Sequence, residues 1–300
     1  MPDASPRRRL LFVHAHPDDE TLTTGLTMAH YVDAGHDVHV LTCTLGEEGE
    51  VIPPDLRHLA ADREDRLGPW RREELRRAMD RLGVTHSVLG EDPDSGVLSR
   101  YRDSGMAGTP SAAHPEAFAG ADLADAAALL AEHLRALDPD VVVTYDEHGG
   151  YGHPDHIQTH RVTLEALAGL GAQAPAAYCI VTPQAWAVQD RAWLAAHVGP
   201  ADPPLHVPAP GEDYPPSVVP DDVPSHVVEA PQLVPVQAAA LAEHATQVRV
   251  FDGYYALSND IAARLSGREA FVRVDPCTRR PLAAAGADRH TGLLAQEGER

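Results

Sequence analysis

Short apolar runs alternate with helical stretches from residue 10 to residue 182, and that alternation leaves few folds open. Residues 10–14, 38–44, 87–89, 140–145 (DVVVTY) and 178–182 read as strands of buried length. Between them, residues 20–34 read as a helix stopping before Gly35, and the charged stretch 70–82 as one stopping at Gly83. Leu123, Ala127, Leu130, Leu134 and Leu137 share one helical stripe, and residues 155–170 are helical again. Strand and helix in alternation predict βαβ units, hence an α/β, Rossmann-like, mostly parallel sheet with helices on both faces. Residues 1–175 are expected to form this metal-binding catalytic part. Residues 176–300 are expected to complete the same domain as a smaller C-terminal lobe, with a Pro-rich lid or linker at 200–224, a strand at 225–229 and a helix at 232–244 despite Pro235. The small, polar residues 283–300 are expected to be loosely held.

Ligands of such sheets sit beyond the carboxyl ends of the strands. Polar clusters follow three strands here: residues 16–20, 46–50 and 146–156. Two of them, HAHPDDE (14–20) and GGYGHPDH (149–156), combine His and Asp around a Pro. His16, Asp19 and His156 supply two imidazoles and a carboxylate, a ligand set for catalytic zinc that leaves an open position. The same set serves Fe(II) in oxygenases, and polar surface loops are the plainer reading. Asp18, a second carboxylate beside Asp19, favours hydrolysis, which needs a base. His14, on the strand face of His16, reads as a core residue, Glu20 as a cap of the following helix, and His148 and His160 as loop and helix surface. Gly169-x-Gly171-x-x-Ala174 follows a helix rather than a strand, so it is no dinucleotide fingerprint.

Composition narrows the functions further. A formal net charge of -21 argues against nucleic acid and anionic membranes as partners, leaving a small molecule, with the oligomeric state unspecified. All 24 basic residues are Arg, which excludes lysine Schiff-base chemistry. Three cysteines without a CxxC exclude a cysteine zinc site and a disulfide framework. No apolar run reaches about 18 residues and no secretion signal opens the chain, so a cytoplasmic enzyme is expected.

At HAHPDDE and GYGHPDH the chain resembles the zinc-dependent GlcNAc deacetylases of the LmbE/PIG-L type. LTCTLGEEGEV (41–51), RDSGMAG (102–108), the segment 141–156 and AEHATQV (242–248) are similar to its mycothiol-pathway branch, which removes acetate from N-acetylglucosaminyl-inositol. The resemblance spans residues 8–165, with a weaker echo at 225–260. It implies Zn2+, with Fe2+ as the alternative, on His16, Asp19 and His156, and Asp18 as the general base. It further implies His153 as an imidazolium or proton donor kept charged by Asp155, Tyr151 as a donor to the oxyanion, and Arg71, Asp103 and Glu50 as sugar contacts. The related mycothiol S-conjugate amidases carry Pro where Gly152 stands and Lys where Thr24 stands, so both departures favour the deacetylase. The amidase, a deacetylase of another amino sugar and a non-enzymatic sugar-binding protein are the competing readings.

Overall fold

Leu10, Leu11, Phe12 and Val13 are completely buried, as a strand covered on both faces requires. They lie in β1 (Arg9–His14). Because successive side chains alternate, Leu11 and Val13 face one half of the core while Leu10 and Phe12 face the other. The computed structural model describes residues 6–201, 203–282 and 289–294. Along the chain follow α1 (Asp19–Asp33), β2 (Asp37–Thr42), α2 (Leu67–Leu82), β3 (Thr85–Val88), α3 (Leu123–Leu137) and β4 (Val141–Thr144). After a helical turn at Gly149–Gly152 come α4 (Pro154–Leu170), β5 (Ala176–Pro183), α5 (Gln184–His197), β6 (Val218–Val219), β7 (His226–Glu229) and α6 (Val234–Leu241). The rest is strand: β8 (Arg249–Val250), β9 (Tyr254–Ala256), β10 (Ala262–Arg264), β11 (Arg268–Asp275), β12 (Arg280–Pro281) and β13 (His290–Thr291).

The main sheet runs β13-β7-β11-β5-β4-β1-β2-β3. Neighbours from β3 to β5 are all parallel, and β11 pairs antiparallel with both β5 and β7. Leu130 and Leu134 of α3 pack with Val162 and Leu167 of α4 on the Leu11 face. Met28 of α1 packs with Leu75 and Met79 of α2 on the Phe12 face. Each such fully buried side chain contributes roughly 1.5–3 kcal/mol of apolar burial. The expected α/β fold is thus present, and the sheet draws strands from both halves of the chain. β8, β9 and β10 form a separate three-stranded sheet.

Four details differ from the sequence reading. α2 starts at Leu67, three residues before the expected 70. Helix 232–244 is a 3-10 turn at Pro231–Leu233 followed by α6, with Pro235 in the first turn, where its missing N–H costs nothing. α5 and β11 went unanticipated. Of the tail, residues 283–288 and 295–300 lie outside the described residues, but His290–Thr291 pairs with β7 and Leu293 is buried, its carbonyl accepting from the Tyr178 hydroxyl at 2.9 Å. That stretch is held by the sheet rather than loose. Among the described residues no helix is long and apolar enough to cross a membrane.

Candidate active site

β1, β2 and β4 end at one edge, so the chain leaving each of them delivers its polar cluster to the same place. His16 comes from the β1–α1 turn, Asp19 opens α1, His156 comes from the first turn of α4, and all three are buried. His16 Nδ1 lies 3.1 Å from Asp19 Oδ2, His156 Nε2 lies 3.2 Å from Asp19 Oδ2, and the two ring nitrogens are 3.3 Å apart. Ligands about 2.0–2.2 Å from one tetrahedral cation stand roughly 3.3–3.6 Å from one another, so this triangle has the size a zinc-like ion needs.

The far side of each ring supports the same assignment. His16 Nε2 faces Asp155 Oδ2 at 3.2 Å and Asp103 Oδ1 at 3.4 Å, and His156 Nδ1 faces the Gly149 carbonyl at 3.2 Å. Those acceptors can take the ring N–H groups, so a cation at the triangle would meet His16 Nδ1 and His156 Nε2 as lone pairs, the outer-shell arrangement of metal-ligating histidines. Gly149 is required for it: at φ 62°, a Cβ there would stand 2.7 Å from His156 Cβ. His16, His153 and His156 also bring ring nitrogens within 4.8 Å, as do the ligand atoms of His16, Asp103 and Asp155. The latter set lies on the Nε2 side of His16, already occupied by hydrogen bonding, and the Asp19 triangle is the tighter one. Charge points the same way. Asp18, Asp19, Asp103 and Asp155 are all buried here, with Arg71 paired to Asp18 and His16 facing the other three.

Asp18 has φ 107°, a conformation costly for a residue with a Cβ, and it lines the cavity alongside His16, Asp19 and His156. Its N–H donates to Glu20 Oε2 at 2.9 Å, so Glu20 does cap the start of α1. Arg71 Nη2 lies 3.2 Å from Asp18 Oδ2. Burial pushes the Asp18 carboxyl up to about 7, with Arg71 opposing and Asp19 reinforcing the shift. Arg71 is no solvated helix charge. It is buried and donates to the Gly46 carbonyl at 2.7 Å and to that of Pro17. Gly46 must be glycine, because a Cβ there would meet the Arg71 guanidinium at 2.0 Å. Asp103 accepts from Gly105 N at 2.8 Å and Glu48 N at 3.2 Å. Glu50 is exposed at the rim, and Tyr151 stands at the mouth, 56% exposed, its ring edge-on to His156 at 5.1 Å. Every residue assigned to the site from the sequence except Asp155 lines one cavity of about 1070 Å³, which continues to Trp186, Tyr255 and Arg268.

Two sequence expectations need correction. Asp155 does not pair with His153. Residues two apart at a helix start face different ways, and the Asp155 carboxylate accepts from Ser104 N at 2.8 Å and Ser104 Oγ at 2.5 Å as well as facing His16. His153 is instead the N-cap of α4, its Nδ1 accepting the Asp155 N–H at 3.2 Å. Burial, with His16 and His156 nearby, pushes its pKa down to about 3, so the ring is neutral and its proton sits on Nε2. His160 is not on the surface: it is buried, and its Nδ1 bonds the Tyr145 carbonyl at 2.9 Å. His14 is a core residue, paired with Thr24 Oγ1 at 3.0 Å, and His148 is exposed, both as expected. Because Asp155 faces the outer nitrogen of His16, an expected ligand, Asp155→Asn is expected to weaken metal affinity by about 10- to 100-fold. Competition with a chelating dye measures this, and unchanged affinity would remove the role.

Three contributions were not read from the sequence. Tyr145 stacks on His156 with centroids 4.3 Å apart, and its hydroxyl accepts the Ala15 N–H at 3.0 Å. Ser104, in the RDSGMAG segment, holds Asp155. In AEHATQV, His244 pairs with Glu20 at 3.0 Å, Thr246 bonds Glu74, and Gln247 lines the cavity.

Comparison with known proteins fits this geometry. Residues 11–167 match the family model PIG-L, GlcNAc-PI de-N-acetylase. The 1D-myo-inositol 2-acetamido-2-deoxy-alpha-D-glucopyranoside deacetylase of Thermomonospora curvata is 46% identical over 300 residues, covering 96% of each chain. That of Acidothermus cellulolyticus is 45% identical over 290 residues, covering 96% of this chain and 94% of its own. Among solved structures, the A40926 pseudoaglycone deacetylase Dbv21 superposes with a TM-score of 0.51 at 20% identity, over 80% of this chain and 83% of that one, a likeness of fold.

Proposed function

This chain belongs to the GlcNAc-PI de-N-acetylase (PIG-L) family, and from that membership we propose that it is a metal-dependent deacetylase that hydrolyses the acetamide of 1D-myo-inositol 2-acetamido-2-deoxy-alpha-D-glucopyranoside in mycothiol biosynthesis. The observation that carries the reading is the triangle of His16, Asp19 and His156 with a second carboxylate on the same cavity wall, Asp18, held by Arg71. A divalent cation held there, Zn2+ or Fe2+, supplies Lewis acidity to the amide carbonyl and to water.

The protein's own groups do the rest. Asp18, with its pKa raised to about 7, takes a proton from the attacking water and returns it to the departing amine. Tyr151 donates a hydrogen bond to the carbonyl oxygen as charge develops on it. His153 acts as a neutral Nε2–H donor on the cavity wall. Arg71, Asp103 and Glu50 bind sugar hydroxyls, the first two fixed by their backbone partners and the last from the rim. The products are acetate and the free amine. Thr24, buried against His14 where the amidases carry Lys, supports the deacetylase over the S-conjugate amidase.

The purified protein is expected to release acetate from N-acetylglucosaminyl-inositol faster than from other N-acetyl sugars, and faster than it cleaves a mycothiol S-conjugate. Chelation should abolish turnover and Zn2+ or Fe2+ should restore it. Activity that survives complete metal removal would sink the metal-dependent reading, and a preference for the S-conjugate would move the assignment to the amidase.

A further inference from the structure

The Pro-rich stretch between α5 and β7 is bridged to β10 at His206 and holds the start of α5 through Asp221, and two further attachments flank the residues that reach the site. At one end, Arg191 of α5 gathers three backbone carbonyls. Its Nη1 donates to Ala209 O at 2.9 Å and Glu212 O at 2.6 Å, and its Nη2 to Asp213 O at 2.7 Å. The guanidinium also lies 3.6 Å over the Tyr214 ring. At the other end, Val218–Val219 pairs with the end of β5, and Thr182 N donates to Ser217 O at 2.9 Å. Ser217 N then donates to the Gly150 carbonyl at 3.0 Å. Pro215 and Pro216 join the two ends, and two consecutive prolines restrict the backbone, so a restraint at Tyr214 reaches Ser217 with little slack.

Gly150 is the residue before Tyr151, at φ 74° and ψ -73°, a conformation that breaks the helical turn there. Its N–H is held by Asp146 Oδ1 at 2.7 Å. With the carbonyl held by Ser217, both peptide groups of Gly150 are hydrogen-bonded, and the exposed Tyr151 ring that follows lies edge-on to His153 at 6.1 Å and to His156 at 5.1 Å. Ser217, Gly150 and Tyr151 line the same cavity.

We infer that Arg191 is a positioning residue of the reaction: by fixing residues 209–217 on α5 it holds the Gly150 carbonyl, and through it sets Tyr151 over the substrate amide. This rests on the reading of Tyr151 as a donor to the carbonyl oxygen. The guanidinium touches no cavity group itself, so its effect on turnover must pass through the strap.

The test is a double-mutant cycle on the metal-loaded enzyme, with hydrogen exchange on the metal-free protein. Arg191→Ala is expected to lower kcat about tenfold, as a misplaced group does, with KM within about twofold. In a Tyr151→Phe background the same change should cost nothing further, because residues acting through one contact are not additive. Exchange at the amides of 151, 152 and 217 should speed up in Arg191→Ala while metal content stays at the wild-type level. Tyr151→Phe with wild-type kcat would overturn the reading of Tyr151 and the inference with it. If Tyr151→Phe is impaired but Arg191→Ala is either harmless or multiplies its loss, the inference alone falls. Should Arg191→Ala not fold, Tyr214→Leu loosens the same clamp and carries the same expectations.

Discussion

Asp18→Ala is expected to lose about 10²-fold or more in kcat while its bound metal stays in place. The two readouts separate because Asp18 stands outside the ligand triangle: the mutual distances of 3.1, 3.2 and 3.3 Å belong to His16, Asp19 and His156 alone. Asp19→Ala, by contrast, should lose the metal together with the activity. The fold should tolerate loss of the Asp18 carboxylate, since Arg71 keeps the carbonyls of Gly46 and Pro17 as acceptors. Asp18→Gly sharpens the test. At φ 107° any side chain costs about 1–3 kcal/mol, a strain that glycine does not bear. This variant should therefore be as inactive as Asp18→Ala yet more stable, the signature of a conformation kept for chemistry. Metal analysis, kcat and denaturant midpoints check all three variants. Full turnover in metal-replete Asp18→Ala would remove the proposed base.

The elements legible in the sequence are those whose burial writes itself into a local pattern. β1 and β4 are covered on both faces and read as unbroken apolar runs, and α3 carries one clean leucine stripe. β11 escaped because REAFVRVD interleaves charges with apolar residues. One of them, Glu269, accepts the backbone N–H groups of Leu26 and Thr27 in α1, a partner no window of sequence reveals. α5 buries only Ala187 and Leu194 and has no side-chain cap at its start, so its pattern is faint. At the site, His16, Asp19 and His156 were legible because two HPD motifs each follow a strand. The task of Asp155 was not, because the direction a side chain takes at a helix start decides between His153 and His16, and composition is silent on direction. His244 could be noticed only as part of a segment resembling the family, since its partner Glu20 lies 224 residues away.

That distant pair carries a large expected stability effect: His244→Ala should destabilise the fold by about 3–5 kcal/mol, a large part of a typical total. Both side chains are fully buried, 3.0 Å apart. Removing the imidazole leaves the Glu20 carboxylate with the Asp18 N–H and the Thr21 hydroxyl as donors but without its counter-charge. The pH dependence has a definite sign. Burial lowers the His244 pKa, but Glu20 outweighs it and holds the ring above the usual 6.5, so its contribution is full below 6.5 and fades as pH rises through the folded value. For Glu20, burial is outweighed by His244, and the carboxyl stands below its usual 4.5, so its contribution is present above 4.5 and fades as pH falls through the folded value. The stability gap between wild type and His244→Ala should therefore be widest between about 4.5 and 6.5 and narrow on the alkaline side. Denaturant unfolding across that range measures it, and a gap below about 1 kcal/mol, the scale of an exposed pair, would contradict the assignment. Because Glu20 also receives the Asp18 N–H, the variant should turn over more slowly even at temperatures where it is fully folded. A pair that served stability alone would leave kcat untouched there.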